Sequence, residues 1–290
     1  MPIIDSHVHL YPPELNRDPA SWATQRGESH WATLCTRRRA DGRPVQGFPS
    51  VDDLIREMDR ASVERAVLLG WYWQKPETCV WQNRFYAQCV RAHPRRLVAY
   101  ASLNPRAGHW PTLDEMHRVR DDGLVGIGEL SPHSQGYSVD DSIFEEVLTL
   151  AGDWMMPVNL HVTDPDGRDY PGRVATPLED FAKLAREFPK TRFVFAHWGG
   201  LLPLRDPAVA ALPNVYYDTA ASPLLYDAEI WSRFTAAVPG SRVLFGSDYP
   251  LNLFPKVDAV PQMSGLIAEA KSAGMGEAVL HDNAARLLTR

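Results

Sequence analysis

Eight short apolar segments alternate with amphipathic helical segments, and this alternation limits the possible folds more than any other feature of the chain. The apolar segments are rich in β-branched and aromatic residues, as strands covered on both faces are. They lie at 3–9, 66–70, 97–103, 124–129, 157–162, 192–197, 215–218 and 242–248. Helices are predicted at 51–62, 78–92, 113–120, 142–152, 178–188, 204–212, 228–238, 257–273 and 276–288.

Eight such strand–helix units favour a closed barrel over an open doubly wound sheet. An open sheet more often carries a Gly-rich phosphate turn after its first strand, and none follows the first strand here. We therefore predict an α/β fold, a (β/α)8 TIM barrel that forms one domain over residues 1–290. Residues 11–50 show no clear helical or strand period, so we predict a long functional loop after the first strand.

Composition excludes several classes of protein. A net charge of -6 and a pI near 5.9 argue against nucleic-acid binding. The sequence shows no apolar run long enough to span a bilayer, and we expect no signal peptide. The three cysteines form no CxxC pair, which suits a reducing compartment. We expect a cytoplasmic protein.

Polar side chains of metal-binding or proton-transfer types end five of the eight predicted strands. His7 and His9 are two residues apart, so they should share one face of the first strand, opposite Ile4 and Val8. The other four of these five strands end in the residues Glu129, His161, His197 and Asp248. The C-terminal ends of barrel strands meet at one rim, where the active sites of such barrels lie.

Each of these residues also has a purely structural interpretation. A histidine at a strand end is more often hydrogen-bonded in the core than bound to metal. Asp248 can cap the turn at Tyr249, and Glu129 can pair with an arginine. Taken together, however, the structural interpretation requires the same coincidence at five strands and always at the same end. A cation or proton-transfer site is the better explanation.

Candidate substrate contacts lie in the segments that follow the strands. Trp71 and Trp73 come directly after the second strand and can form a wall of the pocket. Arg37 and Arg173 lie in predicted loops and can hold a carboxylate in a bidentate manner. The run at 37–39 can also be no more than a solvated loop. We expect a small-molecule partner that carries a carboxylate, and neither nucleic acid nor membrane.

Five sequence stretches together resemble the amidohydrolase superfamily, and more narrowly the amidohydrolase-2 family of aminocarboxymuconate-semialdehyde decarboxylase and related decarboxylases and hydrolases. The stretches are IIDSHVHL at 3–10, PVNLHV at 157–162, FVFAHWGG at 193–200, VLFGSDYP at 243–250 and DNAARLL at 282–288. They occur in the family's order and span nearly the whole chain. The combination is specific for family and fold, and much less specific for substrate.

The resemblance implies roles for individual residues. It makes His7, His9, His161 and Asp248 metal ligands, and His197 the catalytic histidine beside them. It implies Zn²⁺, with Mn²⁺ as the alternative, because mixed imidazole and carboxylate ligands suit either ion. A homodimer is suggested only by the resemblance.

Glu129 departs from the decarboxylase branch, which usually lacks a carboxylate at this strand end. Several hydrolases of the wider superfamily carry a Glu or a carboxylated Lys there, bridging two metals, and no predicted strand here ends in Lys. Glu129 is therefore predicted as a fifth metal ligand, with one or two ions. An equal alternative is a hydrogen bond from Glu129 to a metal-bound histidine.

These features predict a metal-dependent hydrolase of a small ester, lactone or amide. A divalent ion lowers the pKa of bound water from about 15.7 towards 7. Asp248 would accept the proton of the water and pass it to the leaving group, and His197 would polarise the scissile carbonyl. The alternative is non-oxidative decarboxylation of an unsaturated or aromatic acid. A binding protein that keeps the barrel and a metal-free lactonase are the remaining possibilities.

Overall fold

Eight parallel strands form the centre of the fold in a computed structural model that describes residues 1–289. Each strand pairs with its neighbours in chain order, from β1 to β8. The strands are β1 Ile4–Val8, β2 Arg65–Leu68, β3 Leu97–Ala101, β4 Gly126–Leu130, β5 Val158–Leu160, β6 Phe193–Phe195, β7 Val215–Asp218 and β8 Val243–Leu244.

Backbone hydrogen bonds also join the first and last strands. The Ser6 amide donates to the Phe245 carbonyl over 2.8 Å, and the Asp248 amide donates to the His7 carbonyl over 2.9 Å. A further parallel bridge pairs Val8 with Tyr249. The sheet therefore closes on itself, and the predicted (β/α)8 barrel is confirmed.

Helices cover the outside of the barrel and follow the strands. They are α1 Pro13–Arg17, α2 Pro19–Arg26, α3 Ser29–Cys35, α4 Val51–Ala61, α5 Pro76–Ala92, α6 His109–Asp121, α7 Pro132–Gln135, α8 Ser142–Asp153, α9 Leu178–Glu187, α10 Ala196–Gly199, α11 Leu202–Arg205, α12 Pro207–Ala210, α13 Ser222–Leu225, α14 Ile230–Ala237, α15 Ser264–Ser272 and α16 Asn283–Leu288. Short 3₁₀ turns at Pro105–Ala107 and Gly240–Arg242 and a π-helical turn at Ala278–Asp282 complete the set. Within residues 1–289, no helix combines the length and apolar character needed to cross a bilayer.

Local sequence explains where the predicted helices begin. Ser50 caps α4 by accepting a hydrogen bond from the Asp53 amide, while the Asp53 carboxylate accepts one from the Ser50 amide. Leu54 and Met58 lie one helical turn apart and are fully buried. This capping box and apolar stripe seat α4 against the barrel.

Four expectations about helices are wrong, and prolines account for most of the differences. Residues 11–50 contain α1, α2 and α3, each too short to show a period, and α1 and α2 begin at a proline. The helix expected at 204–212 is split into α11 and α12, because Pro207 disfavours helical backbone at the preceding residue. The helix expected at 257–273 begins only at Ser264, beyond Pro261. The helix expected at 276–288 starts with a π-helical turn before α16.

A separate aromatic cluster lies over the rim of the barrel, apart from the main core. We call it the rim cluster, and it includes Tyr11, Trp22, Trp31 and Trp73. Trp31 and Trp73 are 1% and 0% exposed, and their ring centroids are 5.7 Å apart. Because large aromatic side chains bury much apolar area, this cluster holds α1, α2 and α3 over the barrel mouth. The segment after β1 is therefore an ordered cover.

Candidate metal centre

An irregularity in β1 aims His7 towards the inside of the barrel. Asp5 pairs with Ala66 and Val8 with Leu68, so three residues of β1 span two of β2. Ile4 consequently packs with the residues inside the barrel and Val8 with the outer core. The expectation that these two side chains share one face is wrong, because a bulge reverses the alternation.

A matching irregularity in β4 presents Glu129. Ile127 pairs with Val158 and Leu130 with Leu160, so β4 also carries one extra residue. Gly128 lies in the bulge with φ +128°, and a Cβ there would be 2.5 Å from the Asn159 carbonyl oxygen. Only glycine combines this backbone with such a close approach.

His7, His9 and Glu129 form the first ligand group, and the Asp248 carboxylate approaches its two histidine nitrogens. The Nε2 atoms of His7 and His9 are 3.1 Å apart. Glu129 Oε2 lies 3.8 Å from His7 Nε2 and 3.6 Å from His9 Nε2. Asp248 Oδ1 lies 3.8 Å and 3.5 Å from the same two nitrogens. All four residues are at least nine-tenths buried.

Hydrogen bonds on the far side of each ring fix which nitrogen faces this group. His7 donates from Nδ1 to Asp218 Oδ2 over 2.9 Å. His9 donates from Nδ1 to the Leu69 carbonyl over 3.0 Å. In the neutral tautomers both Nε2 atoms therefore carry lone pairs, and these lone pairs face each other at 3.1 Å. Such an arrangement is favourable only when a proton or a metal cation lies between the nitrogens.

The spacing of the first ligand group suits a small divalent cation. Ligand atoms about 2.1 Å from a tetrahedral Zn²⁺ are roughly 3.4 Å from one another. The three distances within the group and the two from Asp248 to its histidine nitrogens run from 3.1 to 3.8 Å. Two imidazole nitrogens and two carboxylate oxygens are ligands that both Zn²⁺ and Mn²⁺ accept. These residues therefore fit a Zn²⁺ or Mn²⁺ ion, the cofactor that the sequence resemblance implies.

The second ligand group consists of Glu129, His161 and His197, and it shares Glu129 with the first. Glu129 Oε1 lies 3.0 Å from His161 Nδ1 and 3.4 Å from His197 Nε2. The two histidine nitrogens are 3.0 Å apart. His197 is oriented by a hydrogen bond from Nδ1 to the Ala220 carbonyl, over 3.1 Å. His161 thus lies with Glu129 and His197, whereas the resemblance implies that it joins His7, His9 and Asp248.

Burial and neighbouring charges set the protonation of the cluster. Burial opposes a charge on His7, but Asp218 and Glu129 outweigh it and raise the pKa of His7 to about 10. Burial and the charge of His7 lower the pKa of His9 to about 3. Burial raises the pKa of Asp248 to about 6. The pKa of Glu129 lies well below its usual value, because nearby histidines outweigh burial. The carboxylates therefore require a positive charge, which a proton or a metal cation at the same atoms can supply.

A cavity of about 410 Å³ opens above the two ligand groups. Three of the four candidate substrate contacts, Arg37, Trp71 and Arg173, line it. The Arg37 guanidinium lies 5.4 Å from the centre of the Tyr170 ring and has no carboxylate within 4.0 Å among residues 1–289. Arg173 donates from Nη2 to the carbonyls of Asp164 and Pro165. The Arg37 guanidinium is therefore more available than that of Arg173 to bind a carboxylate.

Trp73 does not reach this cavity, so its predicted place in the substrate wall is wrong. It belongs to the rim cluster and is fully buried. Its indole nitrogen donates to Gln82 Oε1 over 2.6 Å. The chain turns after Trp71, and as a result only Trp71 and Tyr72 of this segment line the pocket.

Two residues at the site were not among the sequence-based candidates. Asp218 ends β7, so the strand-end argument that identified Glu129 applies to it as well. It accepts hydrogen bonds from His7, Asn159 and the His197 amide. Tyr72 follows β2 between two tryptophans, and nothing in the sequence pattern distinguishes it from them.

Comparisons with known proteins agree with the barrel. The amidohydrolase family model Amidohydro_2 matches residues 4–290. Among solved structures, 5-carboxyvanillate decarboxylase from Novosphingobium aromaticivorans, complexed with manganese, has a TM-score of 0.72 at 14% identity, over 99% of this chain and 95% of that one. A probable 2-pyrone-4,6-dicarboxylic acid hydrolase from Acinetobacter baumannii has a TM-score of 0.65 at 14% identity, over 99% of each chain.

A third structure is similar over the same extent. It is 2,6-dihydroxybenzoate decarboxylase from Rhizobium, with a TM-score of 0.63, 18% identity, and coverage of 99% of this chain and 98% of that one. At such identities the structural likeness shows the fold alone. The family match extends over nearly the whole length, and the chain belongs to the amidohydrolase family.

Proposed function

We propose that this protein is a metal-dependent hydrolase of a small ester, lactone or amide. The observation that carries the proposal is the position of the Glu129 carboxylate between the two ligand groups. Its Oε2 faces His7 and His9, and its Oε1 faces His161 and His197. One carboxylate can thus be shared by two cations, an arrangement that favours hydrolysis.

The first ligand group would hold one cation, and the second group offers a place for another. Zn²⁺ is the expected ion and Mn²⁺ the alternative, because imidazole and carboxylate ligands suit both. The manganese in the Novosphingobium decarboxylase supports this chemistry. When bound, such a cation lowers the pKa of water towards neutrality and supplies hydroxide.

Asp248 and His197 would move the protons of the reaction. Asp248, whose pKa burial raises to about 6, would accept a proton from water and return it to the leaving group. The pKa of His197 is also raised, because its hydrogen bond and ionic contact with Glu129 outweigh burial. With one cation bound, protonated His197 would donate to the scissile carbonyl; with two, it would be a ligand.

Arg37 and Arg173 would hold a carboxylate of the substrate at the mouth of the cavity. The enzymes of the similar structures are named for carboxylated compounds, namely a carboxyvanillate, a dihydroxybenzoate and a pyrone dicarboxylic acid. In the proposed reaction, the oxygen of water bonds to the carbonyl carbon while the bond to the leaving oxygen or nitrogen breaks.

Decarboxylation is the second candidate, because two of these similar structures are named decarboxylases. One assay of zinc-loaded and manganese-loaded protein distinguishes the two reactions. Hydrolysis is followed with 2-pyrone-4,6-dicarboxylate, dihydrocoumarin and 4-nitrophenyl acetate. CO₂ release is followed with 5-carboxyvanillate and 2,6-dihydroxybenzoate. Metal-dependent hydrolysis without CO₂ release supports the hydrolase, and CO₂ release without hydrolysis overturns it.

A further inference from the structure

Tyr72 is a buried side chain that opens into the cavity beside the second ligand group. Only 3% of the residue is exposed, yet it lines the cavity. Its ring centroid is 5.0 Å from that of His161. The other face stacks on Trp71, with centroids 4.4 Å apart and an interplanar angle of 24°. The ring is therefore held in one orientation next to the candidate reaction centre.

The hydroxyl of Tyr72 has no partner within residues 1–289. None of these residues hydrogen-bonds to it, and its oxygen is accessible to solvent. By contrast, the hydroxyl of Tyr226, another tyrosine that lines the cavity, donates to Asp164 over 3.1 Å. A buried polar group without a protein partner costs free energy unless water or a ligand satisfies it.

A tyrosine hydroxyl is an O–H donor with an ordinary pKa of about 10, so it is neutral at pH 7 and able to donate. A phenol that stays neutral can donate a hydrogen bond to an oxygen on which negative charge develops. Preorganised donors of this kind act most strongly in a cavity from which water is largely excluded.

On the basis of the proposed hydrolase function, we infer that Tyr72 is a catalytic residue whose hydroxyl donates a hydrogen bond to the scissile carbonyl oxygen. The hydroxyl keeps its proton throughout. Water adds to the carbonyl carbon, the carbonyl π electrons move onto the oxygen facing Tyr72, and they return when the leaving group departs. Because the negative charge is largest in the transition state, this contact should raise kcat more than it lowers KM.

The test compares Tyr72→Phe with Tyr216→Phe in the zinc-loaded full-length protein. Phenylalanine keeps the ring contacts of Tyr72 and removes only the hydroxyl. Tyr216 lies in β7, packs near Arg242 and does not line the cavity. With dihydrocoumarin and 4-nitrophenyl acetate, we expect Tyr72→Phe to lower kcat roughly 100-fold. KM should stay within about threefold, and both zinc content and the Tyr216→Phe control should match the wild type.

A kcat of Tyr72→Phe within threefold of the wild type would overturn the inference. Loss of zinc from this variant would overturn it as well, because the hydroxyl would then act through the metal centre. Absence of hydrolysis by the wild type would instead count against the proposed hydrolase. In that case, the role of Tyr72 is tested by calorimetric measurement of the affinity for methylphosphonate, a tetrahedral oxyanion. At least tenfold weaker binding to Tyr72→Phe supports the contact, whereas equal affinity or no binding to the wild type overturns it.

Discussion

Nδ1 of His7 donates a hydrogen bond to Oδ2 of Asp218 over 2.9 Å, and neither side chain is exposed to solvent. This bond joins the first strand to the seventh across the barrel interior. It holds the His7 ring in the orientation that presents Nε2 to the first ligand group. A carboxylate behind a metal-binding histidine fixes both the tautomer and the basicity of the ligand.

Asp218→Asn should therefore weaken cation binding without removing a ligand. We expect zinc affinity, measured by competition with a chromogenic chelator, to fall about 10- to 100-fold. Asp140→Asn is the control, because Asp140 is exposed and pairs only with Lys183 at the surface. An unchanged zinc affinity of Asp218→Asn would show that the orientation of His7 does not depend on this carboxylate.

Glu129→Gln should separate the two ligand groups. An amide is a poor metal ligand compared with a carboxylate and cannot be shared between two cations with the same charge balance. We expect metal analysis of the purified variant to show fewer bound ions than the wild type, and hydrolysis to fall by at least about 100-fold. An unchanged rate would remove the main reason for preferring a hydrolase over a decarboxylase.

Removal of metal should abolish activity and lower thermal stability together. A cation that binds only the native state contributes about 4 kcal/mol when its free concentration is roughly 1,000 times Kd. Chelator treatment should thus lower Tm by several degrees in differential scanning calorimetry, and Zn²⁺ or Mn²⁺ should restore both Tm and activity. Protein purified without chelator that holds less than about half an equivalent of metal would contradict the ligand assignments.

Gly128→Ala should destabilise the fold at the β4 bulge. The new Cβ would lie 2.5 Å from the Asn159 carbonyl oxygen, in a backbone with φ +128°. We expect a loss of about 2–4 kcal/mol in the free energy of unfolding, measured in urea. Gly240→Ala is the matched control: no atom lies within 4 Å of its added Cβ, so its effect should stay within about 0.5 kcal/mol. Equal stability of the two variants would be evidence against a tight bulge.

Arg37→Met should affect only substrates that carry a carboxylate. A charge-assisted hydrogen bond contributes about 1.5–3 kcal/mol, so KM should rise roughly 10- to 100-fold for a carboxylated lactone and stay unchanged for neutral 4-nitrophenyl acetate. Arg120→Met is a suitable control, because Arg120 also lies over an aromatic ring, that of Trp154, but outside the cavity. A similar loss with both substrates would instead point to a structural role for Arg37.

The periodicity of the chain was sufficient to predict the barrel. Strands buried on both faces have a continuous apolar pattern, and each amphipathic helix returns the chain to the start of the next strand, so eight repeats leave little choice of topology. The same pattern predicted the strand-end residues Glu129, His161, His197 and Asp248, because a side chain at the C-terminal end of a barrel strand must lie at the rim. The helices between residues 11 and 50 escaped prediction, since each is shorter than the window in which a helical period can be recognised.

Tertiary structure alone decided which of these residues face one another. Strict alternation along β1 and β4 is broken by one extra residue in each strand, and an alternating apolar pattern does not predict a bulge. The bulges turn His7 and Glu129 inward, divide the predicted ligands into two groups and leave Ile4 and Val8 on different faces. Trp73 likewise packs into the rim cluster while Tyr72 lines the cavity, because this difference depends on contacts with residues far away in the chain.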